Sequence, residues 1–260
     1  MTSALIGHSG FVGSTLKRQR GFEHQFRSSD IAGIDGGAFE TVVCAGAPAQ
    51  KWKANADPDA DRRTIDGLIE HLDRVTSERF VLISTVDVFG DPTGVDESSV
   101  VRTDGLHAYG ANRRRLEEFV QERFDRHLVV RLPGLVGPGL RKNVIFDLLH
   151  DNNLDAVDSR GVFQFYPMVN LWWDIDSALG AGLSLVHLTA EPVDVATVAR
   201  LGFGRPFENH LARPVARYDF RTRHADVVRG TGDYHYSAAD TIMAVRSYAQ
   251  SAAAAAEPAS

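Results

Sequence analysis

The sequence predicts an α/β fold: a doubly wound, largely parallel sheet with a small C-terminal lobe. Three observations lead there. Short apolar runs rich in β-branched residues, "SALIG" (3–7), "TVVCAG" (41–46), "RFVLIST" (79–85) and "HLVVRL" (127–132), are nearly continuous, as strands covered on both faces must be. Helical patterns separate them, and alternation of strand and helix favours parallel pairing. A glycine-rich loop, "IGHSGFVGS" (6–14), follows the first run.

The elements follow in order. The strand at 3–7 leads into the glycine loop, and "EHQFR" (23–27) is the second strand. "SSDIAGIDGGAFE" (28–40) leaves little room for a full helix before the strand at 41–46. From about Asp59 to Val75, Ile65, Leu68, Ile69 and Leu72 recur at helical spacing. After the strand at 79–85, residues 112–124 put Leu116, Phe119 and Val120 on one helix face and Arg114, Glu117 and Glu118 on the outer one. The strand at 127–132 closes this half.

After Pro133 the composition changes. "PGLVGPGLRKN" (133–143) is a Gly/Pro-rich loop and "VIFDLLH" (144–150) a short helix. "FQFYPM" (163–168) and "LSLVHLT" (183–189) read as strands, and "AADTIMAVRSYA" (238–249) as a helix. "SAAAAAEPAS" (251–260) is low-complexity and is expected to be a disordered tail. The expected division is a nucleotide-binding part at 1–135, a substrate-binding lobe interleaved with sheet elements at 136–250, and the tail.

The 260 residues are 43% hydrophobic and 24% charged, with a net charge of −6. That balance argues against a nucleic-acid partner, which favours a basic surface. No apolar segment is long enough to span a bilayer, and the N-terminus lacks the features of a signal peptide, so the cytoplasm is the expected compartment. The single cysteine, Cys44, ends an apolar run and reads as core. No His/Cys/Asp/Glu grouping has metal-ligand spacing, and no metal is expected.

The glycine loop carries chemistry. Gly7, Gly10 and Gly13 lie between a strand and a helix. That context suits a tight turn, close approach of backbone to a pyrophosphate, and helix–strand packing, with the helix N-terminus donating N–H groups. This is the signature of a Rossmann-type dinucleotide site. Arg27 and Ser28 follow the second strand where a ribose 2′-phosphate would sit, which favours NADP; Asp30 is the competing candidate and would favour NAD.

Four segments in order, "GHSGFVG", "LISTVDVFG" (82–90), "YGANR" (109–113) and "RLPGLVGPG" (131–139), resemble the extended short-chain dehydrogenase/reductases, in particular their nucleotide-sugar epimerase, dehydratase and reductase branch. The resemblance covers about the first 140 residues. It implies that Tyr109 is the catalytic acid–base, that Thr85 binds the reacting oxygen, and that the cofactor also meets Ser9, Phe11, Val12, Ala45, Gly46, Ala47 and Pro133. Phenol titrates near pH 10, so an adjacent cation is needed for Tyr109 to act as a base near neutrality. Arg113 stands where the family has lysine. Arginine supplies charge and can donate to a cofactor ribose, but it cannot relay a proton. The base can also have been reassigned to Asp87, or catalysis lost; Asp87 otherwise reads as a ligand for a substrate hydroxyl or as a hydrogen-bonding partner for nearby backbone. A 4,6-dehydratase is disfavoured because Val86 stands where an acid is needed.

At the substrate end, Arg141 and Asn143 follow the strand-end motif, and Arg221 and Arg223 alternate along an extended segment; the basic residues suit a diphosphate. The expected substrate is a nucleotide-linked sugar or a nucleoside-like molecule, acted on by an epimerase or reductase. The alternative is a non-catalytic NAD(P)-binding regulatory or scaffold protein. Family members often dimerise through two helices, for which 59–75 and 112–124 are the candidates.

Overall fold

The computed structural model describes residues 2–256, without the side chains beyond residue 252. The chain divides into two compact units: one of 1–91, 98–132 and 171–187, the other of 92–97, 133–170 and 188–260. The change of composition at Pro133 coincides with a unit boundary, and 171–187 returns to the first unit.

The first unit is a six-stranded sheet. β1 (Ser3–Ile6), β2 (His24–Phe26), β3 (Ala38–Cys44) and β4 (Thr76–Thr85) are joined by strands His127–Leu132 and Leu185–His187. From one edge the order is Leu185–His187, His127–Leu132, β4, β3, β1, β2, and every pairing is parallel. Chain order reverses between β1 and β3, the crevice where such sheets bind ligands. α1 (Phe11–Gln19), α2 (Lys51–Ala56), α3 (Pro58–Leu72) and α4 (Ala108–Arg123) supply the main connections. Between β2 and β3 there is only a single 3₁₀ turn, Ile31–Ile34, as the short spacing requires.

Burial explains the strand composition. Val42, Val43, Val81, Leu128, Val129 and Val130 are all fully buried, successive residues pointing to opposite covered faces. Phe80 and Phe124 stack with centroids 4.2 Å apart. Cys44 is buried core, and desolvation pushes its thiol up to about 11, far from nucleophilic use.

α4 starts four residues before the expected 112, so Tyr109 lies in its first turn. The outward placing of Glu117 is overturned. Glu117 is fully buried, accepting from Arg131 Nε (2.9 Å) and Nη2 (2.7 Å), from Ser84 Oγ (2.5 Å) and from Arg114 Nη1 (3.1 Å). Arg131, inside the sheet at the register of Ser84, needs a buried anion, and Glu117 is within reach. Exposed positions on α3 and α4 are polar and cross-linked, Arg115 Nε donating to Asp66 Oδ1 at 2.7 Å and Arg123 Nε to Asp73 Oδ1 at 3.2 Å. "NLWWDI" divides: Trp172 packs edge-on against Phe22, whereas Trp173 is exposed.

The second unit is built from short pairs: Gly134–Val136 with Phe165–Pro167, Val162–Phe163 with Val193–Asp194, and Thr93–Val95 with Asp219–Phe220. Gln164 ties three segments together, donating to Thr189, Ala190 and Phe220 and accepting from Phe220 N–H. The final helix, Ala238–Ala256, extends through the first six residues of the expected tail, because its alanines favour helix; residues 257–260 lie outside the described residues. Among the described residues no helix is long and apolar enough to cross a membrane, and no group of three or more His, Cys, Asp or Glu is gathered for a metal.

Candidate active site

The site is built at the C-terminal edge of the first unit's sheet. Gly7 adopts φ +82°, and a Cβ there would lie 2.3 Å from Ala45 O; a Cβ on Gly13 would lie 2.1 Å from Gly7 O. Gly7 is therefore demanded by packing of the β1–α1 turn against the residues after β3, and Gly13 by packing of α1 against the turn itself. Gly10 is different: a Cβ there would meet only Gly7 O, at 3.5 Å. Its missing side chain leaves space at the N-terminus of α1, which has no side-chain cap and no acid in its first turn. The first-turn N–H groups of Phe11, Val12 and Gly13 have no acceptor within the helix. Open space beside unclaimed donors and a positive dipole fits a pyrophosphate, so the residues present fit a dinucleotide. Ser9 is exposed beside them, and Ala45, Gly46 and Ala47 follow the end of β3.

At the ribose end, Arg27 and Asp30 engage each other. Arg27 N–H donates to Asp30 Oδ1 at 2.6 Å, and Arg27 Nε lies 3.5 Å from Asp30 Oδ2. Ser28 is exposed in the same turn.

β4 delivers Thr85 to the sheet edge, where a single 3₁₀ turn, Val86–Val88, begins. Thr85 Oγ1 accepts from Asp87 N–H at 3.2 Å, and the same hydroxyl is hydrogen-bonded to the Tyr109 phenol. Asp87 Oδ1 accepts from Lys51 Nζ at 2.7 Å, so this carboxylate is an ion-pair partner rather than an unpaired base. Gly110 brings α4 against this turn: a Cβ there would lie 2.1 Å from Asp87 O. Tyr109, one residue earlier, is thereby fixed beside Thr85, and its N–H donates to Asn55 Oδ1 at 3.0 Å. His107 caps α4, its Nδ1 accepting from Gly110 N–H at 3.0 Å.

Burial pushes the Tyr109 phenol above its ordinary value; Arg113 opposes this, Asp87 adds to it, Thr85 opposes it through a hydrogen bond, and Asp61 adds to it. Burial and Lys51, with a smaller contribution from Arg113, hold His107 below the usual imidazole range against Asp87.

Arg113 lies where a cation was expected but is not free. It is 3% exposed and stacks on the Tyr109 ring, its Cζ 4.0 Å from the centroid. Nη1 donates to Asp61 Oδ2 and, at 3.3 Å, to Tyr109 O, while Nη2 donates to Pro48 O. Asp61 also accepts from Asn112 Nδ2 at 2.8 Å. Both terminal nitrogens of Arg113 are thus engaged within the protein. Only Nε is buried without a partner among the described residues.

The sequence reading missed Lys51, Asn55 and Asp61. Asp61 left one trace: it lies four residues before Ile65, on the apolar face of α3, where a carboxylate requires a buried partner.

The residues proposed at the substrate end lie in the second unit. Asn143 caps the helix Val144–His150. Its Oδ1 accepts from Ile145 and Phe146 N–H, and its Nδ2 donates to Leu135 O at 2.8 Å. Arg221 is held by Asp219 at 2.6 Å and by Asp233 at 3.2 Å. The extended segment is two residues long, Asp219–Phe220, so the alternation of Arg221 and Arg223 does not define a strand face. Arg223 N–H donates to Glu97, and Arg141 is exposed. Pro133, assigned to the cofactor, is the buried first residue of its segment.

No protein-family model matches this chain, and no curated protein matches it. Solved structures do. A UDP-galactose 4-epimerase superposes with a TM-score of 0.71 at 18% identity, over 99% of this chain and 100% of the other. The chain has the fold of nucleotide-sugar epimerases and reductases. A dTDP-4-dehydrorhamnose reductase from Clostridium acetobutylicum is similar at 0.72 and 16% identity, over 97% and 100% of the two chains. The Bordetella bronchiseptica enzyme WbmG, solved in complex with NAD, is similar at 0.75 and 15%, over 96% and 94%. The match extends through both units, so the C-terminal half belongs to the same fold even though its sequence carries little of the resemblance.

Proposed function

We propose that the protein is an NAD(P)-dependent enzyme acting at a secondary alcohol or ketone of a nucleotide-linked sugar, as an epimerase or a reductase, with Tyr109 as acid–base. The observation that carries this reading is the placement of Tyr109 beside Thr85 at the sheet edge, in the unit whose glycine turn opens onto an uncapped helix.

The nicotinamide group, when bound, supplies or takes up hydride. This chain's residues do the rest. The first-turn N–H groups of α1 hold the pyrophosphate. Arg27 and Ser28 meet a 2′-phosphate, which makes NADP the favoured form; Asp30 competes for Arg27. The Thr85 hydroxyl donates to the reacting oxygen and holds it in line with Tyr109, which moves the proton. Burial of Tyr109 and Arg113 excludes water from the inner side of the site.

The test is binding and turnover. NADP and NAD are titrated against the purified protein by calorimetry, and UDP-galactose, UDP-glucuronic acid and dTDP-4-dehydrorhamnose are then assayed for cofactor-dependent conversion. Binding with turnover that disappears in Tyr109→Phe supports the reading. Binding without turnover of any nucleotide sugar favours the non-catalytic alternative, and no binding removes both. Arg27→Ala is expected to weaken NADP about tenfold or more while sparing NAD.

A further inference from the structure

The Arg113–Asp61 pair determines more than whether an arginine can replace a lysine. Resting on the reading of Tyr109 as acid–base, we propose that Asp61 is a positioning residue: it takes up the charge of Arg113 and holds the guanidinium flat against the Tyr109 ring, so that Tyr109 remains a neutral phenol and serves as proton donor to a carbonyl. The site is then built for the reductive direction, on a keto-sugar, rather than for abstracting a proton from an alcohol.

Four observations converge on this. The pair is desolvated, both side chains being at most 6% exposed. Arg113 meets the ring face, with its Cζ 4.0 Å from the centroid, and Nη1 is turned to Asp61 and the Tyr109 carbonyl. Asn112 Nδ2 donates to the same Asp61 oxygen at 2.8 Å, fixing the carboxylate from a second side. Asp87, whose charge also disfavours phenolate, is held by Lys51. The guanidinium over the ring is thus matched by a carboxylate, and burial disfavours phenolate most of all.

The Tyr109 O–H bond breaks as a new O–H bond forms on the substrate oxygen; a reduced nicotinamide, when bound, would supply the hydride that the carbonyl carbon takes up. Solvent entering from the open side after product leaves returns the phenol's proton.

The test reads Tyr109 directly, without cofactor or substrate. Protein labelled with 13C at tyrosine Cζ is titrated by NMR, the Tyr109 signal being assigned by its loss in Tyr109→Phe. In the wild type the signal is expected to keep its phenol position up to at least about pH 10. In Asp61→Asn, where Arg113 is still held by Pro48 O and by its place over the ring, the midpoint is expected to fall measurably below that of the wild type; Asp61→Glu should behave as wild type. A wild-type midpoint near neutrality overturns the proposal whether or not any variant folds. So does an unchanged or raised midpoint in folded Asp61→Asn. Failure to bind NAD or NADP would instead overturn the functional reading and leave this titration standing as a property of the protein.

Discussion

The guanidinium of Arg113 lies over the face of the Tyr109 ring, its Cζ 4.0 Å from the centroid, rather than beside the phenol oxygen as a point charge. Its charge is met on the far side by Asp61. Arg113→Met would leave that carboxylate buried and unpaired, and breaking such a pair costs about 3–5 kcal/mol. Urea denaturation should show a loss of that size. Arg113→Met,Asp61→Leu, which removes both charges, should recover a large part of it.

Thr85 presents its hydroxyl to the site while accepting from the Asp87 N–H at 3.2 Å. Thr85→Val keeps the shape and removes both bonds. Since the Thr85 bond favours phenolate, its loss moves the Tyr109 midpoint further upward. Turnover of a nucleotide sugar should fall by about 10²-fold, in the range of a lost oxyanion donor, with cofactor affinity unchanged by calorimetry.

Glu117 and Arg131 form a fully buried bidentate pair beneath the sheet edge, with Ser84 bonded to the same carboxylate. This is scaffold, not chemistry. Glu117→Gln should lower stability by about 3–5 kcal/mol, read by chemical denaturation, while cofactor affinity per folded molecule stays within about twofold of wild type at conditions where it remains folded.

His235 introduces a pH dependence in the second unit. Its Nδ1 accepts weakly from Thr189 N–H at 3.4 Å, and Nε2 is buried without a partner among the described residues. Burial, chiefly, pushes its pKa down from 6.5 to about 4. Between those values the unfolded chain binds a proton that the folded protein does not, so stability falls as pH drops through that window and levels off below it. The full span corresponds to about 3 kcal/mol. Denaturation at successive pH values should show it in the wild type, and His235→Asn should flatten it.

How much of this was legible in the sequence follows from physics. The strand at 127–132 is legible to the residue because a strand covered on both faces admits almost nothing polar: His127 lies at its less buried end, and Arg131 is paired internally. The glycine loop was legible because Gly7 and Gly13 are fixed by backbone contacts that no other residue survives. Tyr109 and Thr85 stood out because a motif carries them. Asp61 and Lys51 did not, since their importance comes from residues 52 and 36 positions away in the chain. The same long-range pairing overturns the outward placing of Glu117, whose buried partner Arg131 lies on the following strand. The capping role of Asn143 left no sign in the sequence: its φ is 127°, its Oδ1 accepts from two helix N–H groups, and its Nδ2 reaches Leu135 O.

The most direct measurement of the central claim is isotope transfer. Nicotinamide cofactor deuterated at the transferable position is incubated with the protein and dTDP-4-dehydrorhamnose or a UDP-sugar, and the sugar is analysed by mass spectrometry. The account predicts deuterium on a sugar carbon with wild-type protein and at least about 10²-fold less with Tyr109→Phe. Transfer undiminished in Tyr109→Phe, or no transfer to any of these sugars by cofactor-loaded protein, would contradict it.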